Sequence, residues 1–69
     1  MSNAAEDVVD EVVAIVERNC GRDQPDSIDL THIHPQADHG RADVEAALQE
    51  AVDEDRLAQV GVLRYAPAE

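Results

Sequence analysis

The chain has 69 residues, of which 16 are acidic and five are basic, and its formal net charge at pH 7 is -11. A chain of this length forms one small domain with little volume for a substrate pocket, and its charge repels anionic lipids. These values argue against an enzyme and against a membrane-surface protein. The hydrophobic content of 43% exceeds that of acidic disordered chains, so we expect the chain to fold.

All five basic residues are arginines, and lysine is absent from the sequence. At molar salt the Debye length falls to about 3 Å, so uncompensated carboxylates repel one another far less than in dilute buffer. The composition is similar to that of haloarchaeal proteins and predicts a halophilic origin. The alternative is an acidic chain that mimics nucleic acid or binds a basic partner.

The single cysteine excludes an internal disulfide, and no apolar stretch approaches the roughly 20 residues that span a bilayer. Residues 1–4 lack the features of a signal peptide. We therefore expect a cytoplasmic protein with no membrane partner. Residues 1–4 are predicted to be a flexible N-terminus, 5–66 a single domain and 67–69 a C-terminal tail.

The first predicted helix covers residues 5–19, with Asn3 or Ser2 as its N-cap and Gly21 ending it in a left-handed conformation. Its apolar residues cover an unusually wide arc. We expect one part of this arc to face the core. The other part, formed by Val8, Val12 and Ile15, predicts a homodimer through the first helix, unless the rest of the domain covers it.

After a polar turn, polar and apolar residues alternate over residues 27–30, which predicts a short strand. Thr31 is then placed to cap a short helix over residues 32–38. The alternative extends the strand through His34, because a residue before proline favours extended geometry. Residues 41–55 carry one apolar stripe at helical spacing. The terminal segment contains two short apolar runs, one on each side of Val60 and Gly61, which predicts a β-hairpin with its turn at these two residues.

The predicted order is helix, short strand, short helix, helix and two-stranded hairpin. This order resembles the winged helix-turn-helix class over nearly the whole chain, and Ile28, Leu30, Ile33, Val44 and Leu48 stand at spacings similar to its apolar positions. The expected fold is therefore α+β and mainly helical, with three helices and a C-terminal β-hairpin wing. No subfamily is indicated.

The resemblance implies that the protein binds duplex DNA, with residues 41–55 as the recognition helix. Its implied contacts are Arg41 and Gln49 on that helix, together with Arg56 and Arg64 around the wing. However, the exposed face of this helix carries Glu45, and no cation follows Arg41 on it. Since phosphate contacts dominate affinity for duplex DNA, the alternative is a protein-interaction module that does not bind DNA.

Cysteine and histidine are common zinc ligands, and the chain contains Cys20, His32, His34 and His39. Structural zinc sites draw their ligands in close pairs, and Cys20 has no paired cysteine near it. We therefore expect no metal site and no cofactor. The carboxylates are scattered along the chain and form no pair that suggests acid-base catalysis.

Overall fold

The computed structural model describes residues 6–21 and 23–68. Within them lie the helices α1 (Glu6–Asn19), α2 (Leu30–Ile33) and α3 (Arg41–Asp53), a 3-10 turn (His34–Gln36), and the strands β1 (Ile28–Asp29), β2 (Leu57–Gly61) and β3 (Arg64–Pro67). The strands form one antiparallel sheet in the order β1-β3-β2. This confirms the predicted α+β fold and its winged-helix-like layout, in which β1 adds a third strand to the hairpin.

Helix α1 packs against α2, α3 and β3. Val8, Val12 and Ile15 are only 8%, 0% and 2% exposed. The expectation of a free apolar stripe is therefore corrected, because other elements of the same chain cover it. These three side chains offer no surface for a second copy.

The end of α1 depends on a side chain rather than on a left-handed glycine. Gly21 does not have a positive φ. Instead, the Asn19 side-chain amide donates to the Ile15 carbonyl oxygen at 2.7 Å and to Oε1 of Gln36 at 2.8 Å. The predicted N-caps, Asn3 and Ser2, lie outside the described residues.

The short helix begins earlier than expected and is capped by a different residue. Asp29 is extended (φ -98°, ψ 167°), and its carboxylate accepts the backbone N–H of His32 at 3.1 Å. Thr31 does not cap the helix, since its hydroxyl donates to Oδ1 of Asp29 at 2.8 Å. Pro35 stands in the 3-10 turn that follows α2.

Helix α3 ends two residues before the predicted end, in a hydrogen-bonded reversal of the chain. The N–H of Asp55 donates to the Val52 carbonyl oxygen at 3.1 Å, and that of Arg56 donates to the Ala51 carbonyl oxygen at 2.9 Å. These are the two bonds of a Schellman motif. Asp55 has φ 61° and occupies the left-handed position that usually belongs to glycine.

The hairpin turns two residues later than predicted, at Val62 and Leu63. Gly61 lies in β2 opposite Arg64, and the register is irregular between Gln59 and Gly61. Leu63 has φ 55°. Its carbonyl oxygen accepts the N–H of Leu30 at 2.8 Å, so a contact between distant parts of the chain holds the turn in place.

None of the helices formed by residues 6–21 and 23–68 combines the length and apolar character that crossing a membrane requires.

Candidate interaction surface

A groove of about 490 Å³ runs between the outer face of α3 and the hairpin. Ala42 and Ala46 are one turn apart on α3, and their small side chains leave the space open. Leu63 and Tyr65 line the hairpin side. We call this the helix-hairpin groove; its lining residues are Ala42, Glu45, Ala46, Gln49, Glu50, Asp53, Gln59, Leu63 and Tyr65.

The rim of the helix-hairpin groove is acidic, with Glu45, Glu50 and Asp53 all contributed by α3. Within the part of the chain that the structure describes, no arginine or histidine forms an ion pair with Glu50 or Asp53. Burial raises the pKa of Tyr65, and the negative charge of Glu45 raises it further. The electrostatic influence of the rim therefore extends to the tyrosine that lines the groove.

The two predicted DNA contacts on α3 are both engaged by carboxylates of the same helix. Nε of Arg41 lies 3.7 Å from Oε2 of Glu45, one turn away. The amide of Gln49 donates to Oδ1 of Asp53 at 3.4 Å. Because Arg41 is paired in this way, the start of α3 presents a cation beside an anion rather than a free positive charge.

The other two predicted contacts link separate elements of the fold. Nη1 of Arg56 lies 2.8 Å from Oδ1 of Asp10, which joins the end of α3 to α1. Arg64 lies 3.8 Å from Asp29 and donates to Oγ of Ser27 at 3.0 Å. The structure therefore does not gather the four residues on one surface, and of the four only Gln49 lines the helix-hairpin groove.

A second cavity, of about 390 Å³, lies near β1 and the end of α1. It is lined by Asn19, Gln24, Pro25, Ser27, Ile28, Asp29, His32, Gln36 and Arg64. Its polar groups largely bond one another: Asp29 contacts His32 at 2.6 Å, and Asn19 contacts Gln36 at 2.8 Å. The polar side chains that line this cavity therefore largely satisfy one another's hydrogen bonds.

The cysteine and the histidines lie in separate environments. In residues 6–21 and 23–68, no group of three His, Cys, Asp or Glu side chains is arranged to hold a metal ion. Cys20 is buried, and its pKa is raised first by that burial and then by the charge of Asp26. His39 lies 3.2 Å from Glu11, whose other carboxylate oxygen accepts the N–H of Asp38.

Two large apolar side chains on the hairpin are exposed to solvent, Val60 at 55% and Val62 at 92%. They belong to residues 57–63, a run of seven residues without a titratable side chain. Its spacing predicted part of a hairpin but not an interaction surface. One feature of the sequence could have indicated an interaction surface here: these seven residues carry no charge, although 30% of the residues in the chain are charged.

No protein-family model matches this sequence, and the comparisons with curated proteins and with solved structures find no significant similarity.

Proposed function

We propose that this chain is a small non-enzymatic binding protein that acts in the cytoplasm at high salt and recognises another protein through α3 and the hairpin. The observation that carries the proposal is the acidic outer face of α3. Glu45, Glu50 and Asp53 line this face, and Arg41 at its start is paired with Glu45. A partner for this face must supply positive charge, which a protein can do.

Duplex DNA is the competing partner, and the winged-helix-like layout of the chain is what favours it. In that layout α3 would enter the major groove and the hairpin would contact the backbone. DNA phosphates would then meet the carboxylates of α3. High salt screens this repulsion, but it also removes the gain in free energy from counterion release.

A nuclear magnetic resonance titration of ¹⁵N-labelled protein with a mixed-sequence DNA duplex separates the two functions. The salt is stepped down from molar potassium chloride, and the same spectra report whether the chain stays folded. We expect no DNA-induced shifts while the protein is folded. Shifts concentrated at residues 40–49 and 61–65 would overturn the proposal in favour of DNA binding.

The variant Arg41→Ala/Arg64→Ala provides the control for that experiment. If DNA-induced shifts occur and arise from the predicted contacts, they should disappear in this variant. Shifts that persist equally in both proteins would not come from the predicted contacts, and they would exclude a DNA interface centred on Arg41 and Arg64.

A further inference from the structure

We infer that the helix-hairpin groove binds a segment of the partner protein in which one apolar side chain is flanked by arginines or lysines. This inference rests on the proposed function, because it specifies the partner of the same surface. It assigns the apolar side chain to the floor of the groove and the flanking cations to its rim.

Four of the nine residues that line the groove, two alanines, one leucine and one tyrosine, can contact an apolar side chain. Ala42 and Ala46 contribute methyl groups from α3, and Leu63 and Tyr65 face them from the hairpin. The volume of about 490 Å³ lies within the roughly 300–1,000 Å³ typical of ligand pockets. The hydrogen bond from the Leu30 N–H to the Leu63 carbonyl oxygen, at 2.8 Å, ties this wall to α2. The site is therefore largely preformed.

The rim determines the charge of the occupant. Glu50 and Asp53 have no cationic partner within the described residues, and Glu45 shares its charge with Arg41. An arginine or lysine next to the apolar anchor would meet these carboxylates at short range. The same rim repels DNA, and it repels a second copy of this chain, which has a net charge of -11.

The exposed hairpin extends the apolar surface beyond the groove. Val62 directly precedes Leu63 in the turn and is 92% exposed. Because no titratable side chain occurs in residues 57–63, a partner can cover this segment without desolvating a charged side chain. The apolar anchor and the hairpin contact would therefore still contribute to affinity where salt screens the charges.

The test uses a blocked synthetic pentapeptide, Arg-Arg-Leu-Arg-Arg, at the lowest potassium chloride concentration in which the protein is folded. Two control peptides replace either the four arginines with glutamine or the leucine with serine. Binding is followed by ¹⁵N shifts and by the fluorescence of Tyr65, the one aromatic residue of the chain. We expect shifts along the helix-hairpin groove with the first peptide and much weaker binding with each control.

A steric variant tests the floor without changing the charge. Ala46→Leu places a larger side chain in the groove, whereas Ala14→Leu makes the same change at an exposed position of α1. We expect Ala46→Leu to weaken peptide binding about tenfold or more and Ala14→Leu to leave it unchanged. Circular dichroism of both variants verifies that they are folded.

A charge variant tests the rim. Glu50→Gln/Asp53→Asn removes two negative charges at the groove, and Glu17→Gln/Asp26→Asn removes two at exposed positions elsewhere. The two variants therefore have the same net charge. From the usual strength of exposed ion pairs, we expect about fivefold weaker binding for the groove variant and less than about twofold weakening for its control.

Equal effects of the matched variants, or shifts spread over the whole acidic surface, would overturn the groove as the site while leaving the proposed protein-binding function intact. Failure of that function has a different signature, namely the DNA-induced shifts at residues 40–49 and 61–65. Binding of the serine peptide as tightly as the leucine peptide would overturn the apolar anchor.

Discussion

The carboxylate of Asp29 lies 2.6 Å from Nδ1 of His32 and also accepts the backbone N–H of that residue at 3.1 Å. Asp29 is thus the last residue of β1 and the N-cap of α2, and its carboxylate also orients the His32 ring. The hydrogen bond from the His32 ring, followed by that from Thr31, lowers the pKa of Asp29 to about 2.

The variant Asp29→Asn should reveal this stabilisation through its pH dependence. The pKa of Asp29 falls from 3.8 to about 2 on folding, so its ionised form stabilises the fold fully above about pH 4. The stabilisation is lost as the pH falls toward 2. We expect the Tm of the variant to be a few degrees below that of the wild type at pH 6, with the difference shrinking as the pH falls through about 2. Exposed Asp26→Asn is the control, and a difference independent of pH would contradict the prediction.

The variant Asp55→Gly should stabilise the protein. Asp55 has φ 61°, a conformation that costs most residues with a Cβ atom roughly 1–2 kcal/mol, aspartate somewhat less and glycine almost nothing. Glycine also raises the conformational entropy of the unfolded chain, which offsets part of this gain. We expect the free energy of unfolding, measured by chemical denaturation at constant salt, to rise by about 1 kcal/mol.

Two controls accompany that measurement. Glu54 has φ -90°, so Glu54→Gly should instead lower the stability by about 0.5–1 kcal/mol. Asp55→Asn removes the same charge while keeping a side chain. If it gave the whole gain of Asp55→Gly, the effect would be electrostatic or Asn-specific, and strain at φ 61° would not explain it.

The variant Val12→Ala should destabilise the fold without changing the mass of the particle in solution. Val12 is fully buried, and removing two methyl groups from a packed site costs about 2 kcal/mol. Denaturation gives the stability, and light scattering at high salt gives the mass. Ala14→Ser, at an exposed position of the same helix, is the control. A dimer that dissociated in Val12→Ala at unchanged stability would restore the interface predicted from the sequence.

The variant Glu45→Gln should lower the pKa of Tyr65 relative to the wild type. Burial is the larger cause of the raised pKa and persists in the variant, so the value should stay above its usual 10. Alkaline titration of tyrosine absorbance measures it directly, because the chain has a single tyrosine and no tryptophan. Glu54→Gln should leave it unchanged. Equal shifts in the two variants would show that the net charge of the chain, and not the proximity of Glu45, causes the electrostatic part of the raised pKa.

The stability of the chain should rise steeply with potassium chloride concentration. Sixteen carboxylates oppose five arginines, and their repulsion favours the unfolded chain until salt screens it. We expect circular dichroism to show loss of helix in dilute buffer and full helix in molar salt. A chain that is fully folded in dilute buffer would contradict the proposed adaptation to high salt.

Apolar spacing within single segments was enough to predict α1 and α3, because a helical face depends on residues three and four positions apart. The terminal hairpin followed from two alternating runs next to each other. These local patterns led to the winged-helix-like layout. The same reasoning misplaced the hairpin turn at Gly61, because it assumed that the glycine of the segment must take the special backbone conformation.

A glycine indicates where a positive φ costs little free energy, but a contact with a distant part of the chain accompanies the position at which the hairpin turns. Leu63 takes φ 55° in a turn whose carbonyl oxygen bonds the N–H of Leu30. Asp55 takes φ 61° in the local Schellman motif that ends α3. Leucine disfavours this conformation, and aspartate adopts it less readily than glycine, so neither residue marks a turn as strongly as Gly61 does.

In the candidate site, too, some features follow from local sequence patterns and others only from tertiary contacts. The resemblance to winged helices predicted a binding protein, and helical spacing placed Gln49 on the outer face of α3, where it is exposed. The helix-hairpin groove, the pairing of Arg41 with Glu45 and the burial of Val12 depend on how separate elements pack. Residue spacing along one helix determines which side chains share a face, whereas only the tertiary structure decides what covers that face.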